Sequence, residues 1–324
     1  MAGMSDAAEN LNKQSIENFK GVIPAAISVF DRNELFDEEG TRAYIRHMMN
    51  CHVGGLYITG STGESFLMNA EERKRQVEIV LDEVNGALPV VVHIGAMSTR
   101  ESIALAEHAQ SAGAAGISSV PPFYFRYTQD QIFGFYRDIA ASTDLPLIVY
   151  NVPLAGLLTT DMIKRLSEIE NVRGVKYTGT ALYEVTQIRD ACKEGFRIYG
   201  GCDELGSSNI ALGVDGIIGT FYNCIPDLYK RIWDAVKCSE VQKAAELQRK
   251  ALHVISIGVE SGSMMACVKV WLRAAGIPAG YARRPFTNFD RDTEEKLVRK
   301  LLEMDEKESI GLELAGMIRE RKSF

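Results

Sequence analysis

Residues 172–199 read VRGVKYTGTALYEVTQIRDACKEGFRIY. The first six form a short, nearly continuous apolar run, the pattern of a parallel strand buried on both faces. Leu182, Val185, Ile188 and Cys192 then recur at three- and four-residue spacing among polar neighbours, which marks one apolar face of a helix. A second apolar run follows at 196–199. Strand, helix and strand in immediate succession make the unit from which parallel sheets are assembled.

Outward from this stretch the same short runs, rich in Val and Ile, recur at 22–30, 55–59, 90–94, 116–120, 147–150 and 216–221. Between them lie further helical patterns, such as Val77, Val80, Leu81 and Val84. Asn69 with Glu72, Ser98 with Glu101, and Thr128 with Gln131 each place a capping side chain three residues before an acid or amide, a helix-start signal. Eight strand candidates, each followed by a helix candidate, fill residues 22 to about 237 and predict an α/β fold, the (β/α)8 TIM barrel. A doubly wound open sheet would want a nucleotide-type glycine loop near its first strand, and neither G-x-G-x-x-G nor G-x-x-x-x-G-K-[ST] occurs in the chain. After Ser239 the strand signals stop. Residues 239–258, 262–276 and 292–304 read as helices, broken at Gly276-Ile-Pro278 and Arg284-Pro285. The expected organisation is a polar N-terminal tail over 1–18, a barrel over 19–238 and a C-terminal helical region over 239–324. In that last region, 305–324 forms another helix or a partly ordered tail.

Composition narrows the function. Hydrophobic residues make up 46% and charged residues 24%, ordinary globular values that argue against a disordered chain. Thirty-six Lys plus Arg against 43 Asp plus Glu leave a net charge of −7, a poor balance for a protein whose main partner is nucleic acid. No apolar run reaches the roughly 18 residues of a membrane span. The opening MAGMSDAAENLNKQ has no apolar signal-peptide core. The expectation is a soluble, cytoplasmic protein. The six cysteines (Cys51, Cys192, Cys202, Cys224, Cys238 and Cys267) contain no C-x-x-C pair, and the five histidines are dispersed without H-E-x-x-H. Neither a disulfide scaffold nor a local metal site is indicated.

In a barrel of this kind, function gathers at the C-terminal ends of the strands. Four stretches there carry chemistry. Gly60-Ser-Thr-Gly-Glu64 offers amides and hydroxyls that can seat a carboxylate or phosphate, or else is a plain glycine-rich turn. Tyr150, before Asn151-Val-Pro153, is a phenol that can relay a proton if a neighbour or substrate bonds it, or else a core tyrosine. Lys176 stands within an apolar strand. Burial lowers a lysine's pKa, and the neutral amine can attack a carbonyl to form a Schiff base; the alternative is an ammonium snorkelling to water. Tyr199-Gly-Gly-Cys-Asp203-Glu204 ends in two carboxylates that can accept hydrogen bonds from sugar hydroxyls, cap the next helix, or do both.

Together with Gly219-Thr-Phe-Tyr-Asn223, these motifs resemble the signatures of the dihydrodipicolinate synthase and N-acetylneuraminate lyase superfamily, in the expected order from about residue 20 to about 304. The resemblance implies a class I, Schiff-base barrel aldolase acting on a 2-keto acid, without metal or other cofactor, as a homotetramer. It implies that Lys176 forms the Schiff base, that Tyr150 relays protons, and that Ser61 and Thr62 hold the pyruvate carboxylate. Tyr124, in Pro121-Pro-Phe-Tyr124, resembles a tyrosine that crosses a subunit interface towards the neighbouring site.

Within the superfamily, the synthases place an arginine shortly after Tyr-Asn-Val-Pro, whereas this chain has Leu154-Ala-Gly-Leu-Leu158. The sialic acid lyases carry Gly-x-Asp-Glu at the seventh strand, and here stands Gly201-Cys-Asp203-Glu204. Thr178 matches a sugar-contacting threonine, and Thr220 keeps a hydroxyl where the lyases commonly have serine. The loop after Tyr150 is one residue shorter than is usual in the lyases, and Ser263-Met-Met265 stands where some of them have an aromatic residue. The resemblance thus implies reversible cleavage of N-acetylneuraminate to pyruvate and N-acetylmannosamine. The alternatives are another 2-keto-3-deoxy sugar-acid aldolase, a dihydrodipicolinate synthase-like enzyme, or a non-catalytic sugar-acid sensor. The expected partners are small molecules, with no nucleic acid or membrane.

Overall fold

The computed structural model of the protein describes residues 15–321; most of the expected N-terminal tail and residues 322–324 lie outside the described residues. Eight strands form one sheet: β1 (Gly21–Pro24), β2 (Leu56–Ile58), β3 (Val90–His93), β4 (Gly116–Ser119), β5 (Leu147–Asn151), β6 (Val172–Tyr177), β7 (Arg197–Gly200) and β8 (Gly216–Gly219). Their order is β1-β8-β7-β6-β5-β4-β3-β2, and every pairing is parallel. The ring closes where Ala25 bridges Tyr57 and the Ala26 N–H donates to the Tyr57 carbonyl at 2.8 Å. The fold is a (β/α)8 TIM barrel. The first apolar run, 22–30, is strand only as far as Pro24. Proline has no N–H to extend the ladder, and beyond Ala25 the chain leaves the ring as a loop.

Around the sheet run α1 (Glu38–Asn50), α2 (Ala70–Val84), α3 (Thr99–Ser111), α4 (Gln129–Ala141), α5 (Thr160–Ser167), α6 (Tyr183–Ala191), α7 (Gly206–Ala211) and α8 (Pro226–Lys237). Asn69 and Glu72 bond reciprocally at the start of α2, as do Thr128 and Gln131 at α4. Ser98 accepts from the Glu101 N–H at α3 without the return bond.

Side chains alternate across each strand, and this alternation builds two cores. Val22, Leu56, Val90, Val92, Leu147, Val149, Val175, Tyr177, Ile198 and Ile217 face the helices. Ile23, Tyr57, Val91, Ile148, Tyr150, Tyr199 and Ile218 fill the barrel. In β6 this places Lys176 on the inward side, between outward Val175 and Tyr177.

The C-terminal region continues with α9 (Val241–Glu260), α10 (Met264–Ala274), α11 (Arg291–Lys307) and α12 (Glu313–Glu320). Helix α10 is buried along nearly its whole length, and its Trp271 donates from Nε1 to the Leu297 carbonyl at 3.1 Å. No single helix among the described residues is long and apolar enough to cross a membrane. Together α9 and α10 reach that length, but they meet at a bend of 112°.

Candidate active site

Lys176 is 4% exposed at the C-terminal end of the barrel interior. Register sets it opposite Tyr150 on β5 and Tyr199 on β7. Its nitrogen lies 4.2 Å from the centre of the Tyr150 ring and 4.5 Å from that of Tyr57. Ring faces stabilise a cation weakly and take up no lone pair, so the amine is left free to act on an incoming carbonyl.

Tyr150 meets Tyr57 and His93 edge-to-face, with ring centres 6.1 and 6.0 Å away. Tyr57 itself is committed elsewhere. Its hydroxyl donates to Ser118 Oγ at 3.0 Å, Ser118 passes the bond to the Ile148 carbonyl at 2.8 Å, and burial pushes the phenol well above its ordinary value. His93 is equally fixed. Its Nδ1 lies 3.0 Å from the Thr59 carbonyl and so carries the proton, while Nε2 accepts from the Val120 N–H at 3.3 Å. Burial, and then the charge of Arg73, push this imidazole well below its ordinary value and keep it neutral. Arg73 donates to the carbonyls of Gly95 (3.0 Å) and His93 (2.8 Å), and burial pulls its guanidinium down to about 10. Tyr57, His93, Ser118 and Arg73 therefore build the walls that hold Tyr150 and Lys176.

The Gly60–Glu64 loop rises from β2. The Glu64 N–H donates to the Ser61 carbonyl at 3.0 Å and the Ser65 N–H to the Gly60 carbonyl at 3.2 Å, a tight turn. A Cβ at Gly60 would strike the Tyr57 ring, which explains that glycine. Ser61 is exposed, and buried Thr62 shares a 2.7 Å hydrogen bond with the hydroxyl of Thr220 beyond β8. Asn223 steadies Thr220, donating to its carbonyl at 2.6 Å and to the Ala25 carbonyl at 2.8 Å. Asn151 performs the same service for the loop after β5, bonding both the N–H (2.8 Å) and the carbonyl (3.2 Å) of Leu158. That loop exposes Leu154 and Leu157 and carries no cation over 154–158.

On the far side of Lys176, Thr178 has a buried hydroxyl with no hydrogen-bond partner. A Cβ on Gly201 would run into that hydroxyl and lie 3.2 Å from Lys176 Cε, so the missing side chain keeps a space open between them. Asp203 is buried, with Oδ2 accepting from the Phe221 N–H at 2.7 Å. Its carbonyl is held by the Tyr229 hydroxyl (2.7 Å) and by Gln248 of α9 (3.1 Å). These bonds tie its carboxylate to the β8 end, while its backbone stands in the first helical turn leading into α7. Exposed Glu204 accepts from Cys202 Sγ at 3.0 Å. Tyr124 is 77% exposed on the loop after β4 and edge-on to Phe125.

Burial raises the Asp203 carboxyl from 3.8 to about 7. A raised carboxyl favours the fold while protonated, and that contribution fades as pH rises from the unfolded value through the folded one. Relative to Asp203→Asn, the wild-type protein should lose thermal stability between about pH 4 and 7 and show no further difference above. Parallel unfolding curves for the two proteins across that range would refute this assignment.

A buried amine and phenol at the mouth of a parallel barrel, with a tight turn carrying Ser61 and Thr62 on the preceding β2 loop, is the layout of a (β/α)8 aldolase. The chain belongs to the dihydrodipicolinate synthetase family, whose pattern it matches over residues 18–304. It is similar to N-acetylneuraminate lyase 2 of Escherichia coli O6:H1, at 38% identity over 88% of this chain and 95% of that one. N-acetylneuraminate lyase of Rhizobium meliloti is 32% identical over 82% and 89%. Among solved structures, CdNal from Clostridium difficile in complex with mannosamine superposes with a TM-score of 0.84 at 31% identity, covering 87% of this chain and 97% of that one. A catalytic lysine mutant of Ruminococcus gnavus sialic acid aldolase gives 0.86 at 26% identity over 91% and 99%.

Proposed function

We propose that this protein is a Schiff-base lyase that cleaves N-acetylneuraminate reversibly to pyruvate and N-acetylmannosamine. The observation that carries the reading is the space beside Lys176, bounded by Gly201 and the unpartnered Thr178 hydroxyl, with Asp203 and Glu204 following Gly201 by two and three residues in the chain. Together these residues offer hydroxyl and carboxylate partners to a polyhydroxy chain, and the resemblance to named lyases supports the reading.

Ser61 and Thr62 receive the carboxylate of the keto acid. Lys176 adds through its nitrogen lone pair to the C2 carbonyl, and Tyr150 gives its proton to the departing hydroxyl, which leaves as water, so that an iminium and the Tyr150 phenolate remain. Tyr150 removes the proton of the C4 hydroxyl as the C3–C4 bond breaks. The electron pair of that bond passes into the iminium, giving an enamine and the free aldehyde of N-acetylmannosamine. Tyr150 gives that proton to C3, and water then adds to the iminium, releasing pyruvate and the amine as the surplus proton returns to the Tyr150 phenolate. Thr178, Gly201, Asp203 and Glu204 bind the sugar chain, with Thr220 supporting Thr62. We further place Tyr124, with exposed Phe123 and Phe125, at the contact with a second copy in a homotetramer, and the protein in the cytoplasm. A reducing compartment suits six free cysteines.

Removing Asp203 or Glu204 tests the substrate. Asp203→Ala should lower kcat/KM for N-acetylneuraminate by the equivalent of about 1–3 kcal/mol, since a buried substrate hydroxyl loses its partner, and Glu204→Ala, at an exposed acid, should lower it less. Pyruvate trapping at Lys176 should survive. An unaltered kcat/KM in both variants would leave an aldolase of another 2-keto-3-deoxy sugar acid.

A further inference from the structure

The loop that carries Ser61 and Thr62 is held from outside the barrel. Its last residue, Glu64, has a left-handed backbone (φ 56°), a conformation that non-glycine residues keep only where their surroundings enforce it. The Glu64 carboxylate is wholly buried, and both of its oxygens are taken by the C-terminal region. Lys269 of α10 donates from Nζ to Oε1 at 2.6 Å, and the backbone N–H of Arg283 donates to Oε2 at 2.7 Å. Lys269, equally buried, donates also to the Tyr281 carbonyl at 2.8 Å. The Arg283 guanidinium then reaches the Leu67 carbonyl at 2.8 Å and both oxygens of Glu72 at 3.0 and 2.6 Å. It thereby spans the turn between the loop and α2.

These contacts form one chain of fixed distances. Lys269 and Arg283 set the Glu64 carboxylate, the carboxylate sets the backbone at residue 64, and the Glu64 N–H is bonded to Ser61. A carboxylate with both oxygens bound cannot rotate, so a shift of α10 or of the 281–283 segment is passed to Ser61 without slack. Apolar packing would hold the region equally well but would not fix an orientation. Single removal of either charge strands the other in the interior.

We propose that Glu64, Lys269 and Arg283 are positioning residues that set the Ser61–Thr62 seat, so that the C-terminal helical region governs how tightly the carboxylate of a 2-keto acid is held. This rests on the reading that Ser61 and Thr62 receive that carboxylate.

The test is the pyruvate concentration that half-saturates borohydride labelling of Lys176. Glu64→Gln and Lys269→Met should raise it about tenfold to a hundredfold, the scale of loss from sub-ångström to ångström misplacement. Labelling at saturating pyruvate should remain near the wild-type rate. The double variant Glu64→Gln/Lys269→Met leaves no stranded charge, so it serves if either single variant fails to fold, and its half-saturation should stay raised. Arg319→Met breaks the 2.7 Å pair with Asp305, in the same helical region but away from the loop. It should lower Tm without moving half-saturation. Ser61→Ala/Thr62→Val reports on the seat itself. If that variant raises half-saturation while the folded Glu64 and Lys269 variants keep the wild-type value, the brace is merely structural and the inference is overturned. If Ser61→Ala/Thr62→Val changes nothing, the seat assignment falls and takes the inference with it.

Discussion

Lys176→Ala should abolish borohydride-dependent attachment of pyruvate and reduce kcat on the order of 10⁶-fold, as loss of a covalent nucleophile does. Among the described residues two lysines are deeply buried, and their surroundings separate them. Lys269 donates to the Glu64 carboxylate at 2.6 Å and to the Tyr281 carbonyl at 2.8 Å, which holds it as a charged donor. Lys176 lies instead between the faces of Tyr57 and Tyr150. Its removal leaves no ion partner stranded, so the variant should fold with Tm close to that of the wild type. The decisive measurement is peptide mapping of the trapped adduct together with the near-ultraviolet spectrum of Lys176→Ala. Label on Lys269, or on any lysine other than Lys176, would remove Lys176 from the chemistry. A variant that retains turnover would do the same.

The sequence showed the barrel because strands buried on both faces are short apolar runs, and eight of them alternate with helical patterns. It showed Lys176 for the same reason, as a charge interrupting such a run. It did not show the walls. Tyr57 reads as one more apolar residue in a strand, and only its inward direction and its bond to Ser118 reveal that it frames Lys176. His93 was legible at most as the last residue of β3, since its neutral form follows from burial and from Arg73, which arrives from α2. The partners of Glu64 stand 205 and 219 positions further along the chain, and no local pattern links them. Thr178 matched a family position, but its unpartnered hydroxyl and the space left by Gly201 exist only once β6 and β7 lie side by side. The acids at 203 and 204 read alike in sequence. Folding separates them, burying Asp203 against the Phe221 N–H and leaving Glu204 at the surface with Cys202. What escaped the sequence is in each case a contact between distant segments or a difference in burial between neighbours.

That arrangement of walls decides the depth of the second large effect. Tyr150→Phe keeps the ring that packs against Tyr57 and His93 and removes only the hydroxyl. A nearby group could mask the loss by carrying the proton instead, but neither neighbour is free to do so. Tyr57 spends its proton on Ser118, and burial holds its phenol well above the ordinary range. His93 has both ring nitrogens bonded to backbone and is neutral. With neither neighbouring ring free to stand in, kcat for cleavage should fall by roughly 10²–10⁴, the range of a general acid–base group. Exchange of the pyruvate methyl protons with deuterium oxide should slow in parallel, because both reactions need a proton moved at C3 of the enamine. Attachment of pyruvate to Lys176 under borohydride should persist, since the carboxylate seat and the amine are untouched. An unchanged kcat with an unchanged exchange rate would remove Tyr150 from the mechanism and point to water as the carrier. A loss of kcat with normal exchange would place Tyr150 at the C4 hydroxyl alone, with a different donor serving C3.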